Sequence, residues 1–331
     1  MNVSSEAVLQ AAHVLSQGGL IGLPTETVYG LAADALNPQA VDAVFHAKGR
    51  PANHPLIVHV AGAAQVALFA QEVPAFAQRL MAAFWPGPLT LILPKQVGVA
   101  DAAAGGHATV ALRCPSHPVA LAVLQVAQRL GVQGVAAPSA NLFGSVSPTT
   151  AAHVREAFPS HLVLDGGACD VGIESTIIDC SRGAPVLLRP GMLSLSQLSE
   201  AAGVPVLHSP LLENTSAPSA DALIEQAPAA PGTLASHYAP RARVRLLTSE
   251  DMLSRLSGMD VQVALWTRSA IVVPAGVRWV KMPSDAAQCA HELFAQLRAM
   301  DAEGVHEIWV ETPPDGEAWD GVRDRLQRAA A

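Results

Sequence analysis

The 331-residue sequence predicts a two-domain α/β protein, and two observations carry that expectation. Over residues 1–202, short apolar strands rich in β-branched residues alternate with helical periodicity under Gly and Pro punctuation. The late strands of this part follow one another so closely that part of its sheet is expected to be antiparallel. After a proline-rich, loop-like stretch over 203–236, residues 237–331 resume a strand–helix–strand–helix order, which suggests a smaller Rossmann-like α/β domain.

Each element has a local reason. Ser4 or Ser5 caps a first helix with Val8, Ala11, Ala12 and Leu15 on one face, and Gly18-Gly19 stops it. A strand from Leu20 to Leu23 runs into the hydroxyl-rich corner Pro24-Thr25-Glu26-Thr27. Tyr29-Gly30 then releases the chain toward a helix that starts at Asn37-Pro38, carries Ala40, Val41, Val44 and Phe45 on its apolar side, and ends at Lys48-Gly49-Arg50-Pro51. Leu56 to Val60 reads as a buried strand, and one helical region is expected from Ala63 to Phe84, broken by Trp85-Pro86-Gly87-Pro88. Strands Leu89 to Leu93 and Thr109 to Arg113, a helix from Pro118 to Leu130, and a strand Val135 to Ala137 ending at Pro138-Ser139-Ala140-Asn141 follow. A helix from Ala151 to Ala157 is expected to have Ser147 and Pro148 at its N-terminus, and strands Leu162 to Asp165, Ser175 to Asp179 and Val186 to Arg189 close the first unit. In the tail we expect strands Arg243 to Leu247, Val261 to Trp266 and Glu307 to Val310, with helices Glu250 to Leu256, Asp285 to Met300 and Trp319 to Arg328. The tail contains neither a GxGxxG nor a GxxxxGK[ST] pattern and is assigned no nucleotide site of its own.

Composition narrows the function classes. Half of the residues are hydrophobic, ample for packed cores, yet no apolar run approaches the ~20 residues of a membrane helix, so no membrane partner is expected. The N-terminus reads as an amphipathic helix instead of a signal peptide, and the four cysteines show no CxxC spacing; both fit a cytoplasmic protein. The net charge of −8, with the acid excess mainly in the C-terminal part, argues against a large nucleic-acid footprint. Any RNA contact would be weak and would need a local basic patch.

The most informative stretch is Leu23 to His59. In open α/β sheets, ligands bind outside the carboxyl ends of strands, where Thr-Glu-Thr here emerges. Lys48 and Arg50 at a helix exit suit a polyphosphate, as a point charge and a planar fork; the same two residues would also complement a helix C-terminal dipole. Arg113 ends a strand, where its guanidinium could grip a carboxylate bidentately or form an ion pair.

PTETVYGLA, KGRP and PLIVH, followed in order by FWPGPLTLIL, VALRCPSHP, APSANLFGSVSPTTA, GIESTIID and LLRPG, resemble the YrdC/Sua5 family, and HYAP in a long tail marks the two-domain Sua5 form. The resemblance covers nearly the whole chain. It implies a YrdC-like open twisted mixed sheet with helices over 1–202, a linker or lid over 203–236, and a Sua5-type C-terminal domain over 237–331. It further implies a nucleotidyltransferase, L-threonylcarbamoyladenylate synthase, that makes threonylcarbamoyl-AMP and pyrophosphate from L-threonine, bicarbonate and ATP. The product would pass to the tRNA threonylcarbamoyl-transfer machinery for t6A37 modification. Mg²⁺ would be carried by the ATP phosphates, with no protein-built metal site; Glu26 and Glu174 are candidate outer-shell groups.

By the same resemblance, Lys48 and Arg50 contact the triphosphate and orient the reacting groups. Thr109, Ser139, Asn141, Ser147 and Arg189 match ATP contacts, and His54 stands where relatives often carry Asn. Thr27, His59, Arg113, Ala137, Ser175 and Thr176 match threonine-binding positions, with strand parity leaving open which of Ser175 and Thr176 faces inward. Tyr238 resembles a linker tyrosine folded back over ATP. His59, Asn141 and Ser147 also have ordinary readings, as a strand-end histidine and as turn or cap residues. A binding module of the same fold, holding RNA without turnover, is the competing expectation.

Overall fold

The computed structural model describes residues 3–208, 228–234, 236–256 and 262–331. The first part is built from β1 (Ile21–Leu23), β2 (Gly30–Asp34), β3 (Ile57–His59), β4 (Leu89–Pro94), β5 (Thr109–Arg113), β6 (Val135–Ala136), β7 (Leu162–Val163), β8 (Thr176–Asp179), β9 (Val186–Arg189) and β10 (Leu207–His208). Its helices are α1 (Ser5–Ser16), α2 (Pro38–Lys48), α3 (Val66–Phe69), α4 (Ala75–Phe84), α5 (Pro118–Arg129), α6 (Ala151–Ala157) and α7 (Leu195–Ala202). The strands form one mixed sheet in the order β10-β9-β8-β4-β5-β3-β6-β2-β1-β7, in which β3 runs parallel to β5 and β4 parallel to β8, while β4 opposes β5 and both β2 and β6 oppose their neighbours.

The second part has β11 (Arg243–Leu247), β12 (Val263–Thr267), β13 (Arg278–Lys281) and β14 (Glu307–Glu311), with α8 (Ser249–Leu256), α9 (Ala286–Ala302) and α10 (Asp320–Ala330). Its four strands are all parallel, in the order β11-β14-β12-β13, as expected for a sheet wound with helices. Among the described residues no helix is long and apolar enough to cross a membrane, and Cys114, Cys169, Cys180 and Cys289 are free and buried.

Local physics accounts for the boundaries. Ser4 accepts from the Ala7 amide and caps α1, and the Asn37 side chain accepts from the Gln39 and Ala40 amides and caps α2 before Pro38. Four expectations change. The stretch after Tyr29 first forms β2, because Gly30 to Asp34 pairs back on β1 and is closed off from water on both faces. The helical region expected from Ala63 to Phe84 is interrupted, since Pro74 starts a new helix and cannot continue the old one. The α6 cap is Thr150, which accepts from the His153 amide, so Ser147 is released for another role. Finally, α7, capped by a reciprocal Ser194–Gln197 box, and β13 were not expected from the sequence. The linker expectation over 203–236 falls largely on 209–227, and Val261, expected to open β12, also lies outside the described residues.

The two parts share a core. Val28, Val146 and Ile173 of the first part pack in one cluster with Tyr238, Leu293, Phe294, Trp319 and Val322 of the second. Such a contact buries apolar area that each part alone would expose to water. Ile173 is fully buried in it. Ile173→Ala should cost about 2–5 kcal/mol and lower the calorimetric midpoint, with the second part beginning to unfold apart from the first; an unchanged single transition would exclude this seam as a stability determinant.

Candidate active site

Strand periodicity builds the floor of the site. Side chains alternate across a strand, so Ile57 and His59 of β3, Ala111 and Arg113 of β5, and Ser175 and Ile177 around the start of β8 share one face of the sheet. A cavity on that face is lined by Thr27, Arg50, His59, Ala137, Ser139 and Ser175, among others, with Arg113 and Arg189 in its walls. Pro231, Gly232, His237 and Tyr238 cover it. Parity also decides between neighbours: Ser175 lines the cavity and meets Thr90 Oγ1 at 2.7 Å, whereas Thr176 Oγ1 accepts from the Leu193 amide on the other face.

One end of the cavity is set by Arg113. Its Nη1 donates to Thr27 Oγ1 at 2.7 Å, its Nε donates to Gly87 O at 3.3 Å, and its Nη2 lies 2.6 Å from Glu26 Oε1, with both charged side chains almost completely buried. The fork that the sequence left open is therefore partly occupied. Burial alone would raise the Glu26 carboxyl, but the adjacent guanidinium outweighs it and holds the group below its ordinary value. His59, closed off at the same end, is pulled down to about 3, by burial first and then by Arg113, so its imidazole is neutral.

The other end gathers cations. Gly49 caps α2 in the left-handed conformation (φ 64°) and turns the chain between Lys48 and Arg50, of which Arg50 lines the cavity and Lys48 reaches the loop that walls it. The Lys48 ammonium donates to the carbonyls of Ser139 and Asn141 at 2.5 Å each and so ties the PSAN loop to the helix end. Arg50 Nη2 donates to Pro55 O at 3.2 Å and its guanidinium lies 5.7 Å from the centre of the Phe143 ring, while its Nε has no partner. Arg189 donates to Ser175 O, Ser175 Oγ and Pro231 O, which binds the covering segment to the floor. All three are buried, and among the described residues no carboxylate ion-pairs with any of them. Burial holds Lys48 well below its ordinary range, pushes Arg50 down to about 10 and lowers Arg189. Buried cations held by neutral carbonyl and hydroxyl oxygens are an incomplete arrangement, which an anionic ligand would complete.

The remaining expected residues fall at varied distances from this centre. Tyr238, at φ 63°, is fully buried over the cavity with its hydroxyl lacking a hydrogen-bond partner, and its ring packs edge-on against His237 at 4.1 Å. Asn141 is buried beside the site, but its amide donates to Leu142 O and Ser145 O and shapes the loop. Ser147 donates to Glu174 Oε1 at 2.5 Å. His54 packs edge-on against Phe143, with ring centres 5.7 Å apart, and does not line the cavity. Thr109 lies on the floor face at the far end of β5, roughly 13 Å along the strand from Arg113. Glu26 and Glu174, candidate outer-shell groups for a metal, are instead committed to Arg113 and Arg325, and no group of three or more potential metal ligands occurs among the described residues. Sequence reasoning missed Thr90, Phe143, His237 and Arg325 as neighbours of the site. Thr90, Phe143 and His237 stood within the quoted FWPGPLTLIL, APSANLFGSVSPTTA and HYAP, whereas nothing local marked Arg325.

A mixed α/β sheet with one covered, cation-lined cavity at its strand ends defines a class: an enzyme domain that takes an anionic ligand beside a smaller polar one, closed by a segment that leads to a second domain. The comparisons assign the family. The Sua5/YciO/YrdC model, described as "Telomere recombination", matches residues 13–191, and the model "Threonylcarbamoyl-AMP synthase, C-terminal domain" matches residues 194–331. The chain belongs to the Sua5/YrdC family, in its two-domain form. The threonylcarbamoyl-AMP synthase of Pyrococcus abyssi is 37% identical over 97% of this chain and 93% of its own length, and that of Bacillus subtilis is 36% identical over 100% and 94%. A crystal structure of P. abyssi Sua5 complexed with L-threonine superposes with a TM-score of 0.88 at 35% identity, covering 100% of this chain and 96% of that one.

The Glu26–Arg113 pair gives a direct test. A carboxylate whose folded value is depressed contributes stability that is complete above its unfolded value, near 4.5, and is lost as the pH falls through the folded value. Glu26→Ala should destabilise by about 3–5 kcal/mol at pH 7, because it strands a buried guanidinium, and by clearly less near pH 3. Urea unfolding at the two pH values measures both numbers; an equal loss at each would remove the pair from the acid sensitivity.

Proposed function

We infer that this chain is an L-threonylcarbamoyladenylate synthase, a nucleotidyltransferase that joins L-threonine, bicarbonate and ATP. The observation that carries this reading is the set of buried cations that have no carboxylate partner among the described residues: Arg50 and Arg189, which line a covered cavity, and Lys48, which stands behind its Ser139 wall, with the Arg113–Thr27–His59 corner at the other end. The full-length likeness to synthases of that name supports the same reaction.

The chemistry asks for positioning more than for a nucleophile of the protein. The threonine amine attacks bicarbonate, water leaves, and the carbamate oxygen then attacks the α-phosphorus in line, with pyrophosphate departing. We assign the triphosphate to Lys48, Arg50 and Arg189, with Ser139 as a further contact. Each cation stabilises charge that grows on the leaving pyrophosphate, and the short supply of water under the cover protects the carbamate. Mg²⁺ enters on the phosphates as part of the substrate, since the nearby carboxylates are committed elsewhere.

For threonine we assign Thr27, His59, Ser175, Ala137 and Arg113. With Glu26, Thr27 and Gly87 already on its guanidinium, Arg113 gives the substrate carboxylate one charge-assisted bond instead of a free fork. Neutral His59 offers a hydrogen bond without repelling the substrate ammonium. Tyr238 and Gly232 serve as the cover over ATP. Thr109, Asn141, Ser147 and His54 act on the nucleotide less directly, Asn141 and Ser147 by shaping the wall. The free, buried cysteines agree with action in the cytoplasm, where the product would be handed to the machinery that modifies tRNA.

Pyrophosphate release from Mg·ATP and bicarbonate should depend on L-threonine and yield a product with the mass of threonylcarbamoyl-AMP. ATP binding without such release would favour the RNA-binding alternative. Lys48→Ala and Arg50→Ala should each lower product formation by roughly 100-fold or more with a native circular dichroism spectrum; wild-type turnover in both would withdraw their roles. Gly232 has φ 74°, and a Cβ there would meet the Tyr238 hydroxyl oxygen at 2.3 Å and Arg189 Nη1 at 2.9 Å. Gly232→Ala should therefore unseat the cover and lower the rate, with a smaller loss of thermal midpoint than Ile173→Ala produces; full activity would show that this segment need not close so tightly.

A further inference from the structure

Behind the wall of the cavity, against the lining residues Glu174 and Tyr238, stands a residue from the other domain. Arg325, on α10, is fully buried, and its Nε donates to Glu174 Oε2 at 2.7 Å. Its Nη2 donates to Glu174 O at 3.1 Å and its Nη1 to Pro190 O at 3.0 Å, so one guanidinium spans the segments that enter β8 and leave β9. The same group lies 5.4 Å from the centre of the Tyr238 ring. Nη1 also meets Asp324 Oδ2 at 2.5 Å, and Asp324 in turn accepts from Arg328. Arg328 donates to Leu234 O, and its own carbonyl accepts from the His237 amide, so α10 holds the covering segment on both sides of Ser236.

Glu174 is the group this arrangement controls. Its carboxylate lines the cavity, takes the Ser147 hydroxyl on one oxygen and Arg325 on the other, and sits within electrostatic reach of Lys48, Arg189 and His237. Without a counter-charge behind it, that carboxylate would turn its field on the same cations that face the cavity and on any anion placed among them. We propose that Arg325 is a positioning residue for the nucleotide site: it neutralises Glu174 from behind, leaves Arg50 and Arg189 free for phosphate, and seats Tyr238 over the cavity. The second domain thereby completes the ATP site of the first. The proposal rests on the reading of the cavity as an ATP site.

The test uses the full chain and the dissociation constants of Mg·ATP and of L-threonine, measured by calorimetry on the wild type and on three variants. Arg325→Gln should weaken Mg·ATP roughly tenfold or more, since an unscreened carboxylate a few ångströms from a polyphosphate costs at least that, while threonine changes by less than about threefold. Arg325→Lys, which keeps the charge, should lie between Arg325→Gln and the wild type. The double variant Arg325→Gln/Glu174→Gln, which removes both charges, should recover most of the ATP affinity, a recovery that loss of packing alone would not produce. If Arg325→Gln fails to fold but the double variant folds and binds ATP within about threefold of the wild type, the same compensation is supported. Wild-type ATP affinity in Arg325→Gln, equal weakening of both ligands, or a folded double variant that binds ATP no better than the single one would overturn the proposal. A wild-type protein that binds no ATP would overturn it together with the ATP-site reading; one that binds ATP without threonine-dependent pyrophosphate release would sink only the synthase assignment.

Discussion

The site depends on how its buried charges are partitioned. Among the described residues, five cationic side chains, Lys48, Arg50, Arg113, Arg189 and Arg325, are buried in and around one cavity, and three buried carboxylates, Glu26, Glu174 and Asp324, stand with them, Asp324 behind Arg325. Glu26 is committed to Arg113 and Glu174 to Arg325. Burying an ion without a partner is costly, so these pairings fix which cations are complete in the protein alone and which are left to a ligand. The three left over are held mainly by backbone carbonyls, which take up most of their donors without cancelling their charge.

This partition links the two domains. The mixed sheet delivers polar strand ends to one face, but the charge on Glu174 is balanced from α10 and the cover is anchored to that same helix. Apolar packing through Val28, Val146 and Ile173 supplies the area that keeps α9 and α10 docked. A cavity that must be dry for a labile carbamate and yet open for a nucleotide is served by such a division, in which one domain holds the reactants and the other holds the cover.

Much of the fold was legible. The β-branched runs at Ile57–His59, Thr109–Arg113 and Val186–Arg189 gave strands with nearly their observed bounds, and Asn37-Pro38 and Ser4 marked helix starts, because caps and periodicity act within a few residues. The missed elements have specific causes. β2 is a run of mostly small apolar residues whose strand state is set by pairing on β1, α7 is a short helix fixed by its Ser194–Gln197 capping box and not by a long apolar period, and β13 is a short, half-exposed strand recruited by β12. Ser147 looked like a helix cap because Pro148 follows it, yet Thr150 took that position and Ser147 turned to a carboxylate 27 residues away.

The sequence by itself determined that strands would end in Thr-Glu-Thr and Pro-Ser-Ala-Asn, that Lys48 and Arg50 would leave a helix at a strand mouth, and that an ordered set of motifs would share one chemistry, because these are properties of short stretches. Only the tertiary structure decided that Ser175 and not Thr176 faces the cavity, that Arg113 is already held by Glu26, and that Arg325 crosses from another domain to reach Glu174. Those outcomes follow from strand register and from charge balance between groups 87 and 151 residues apart, and electrostatic partners at such separations leave no mark on the local sequence of either one.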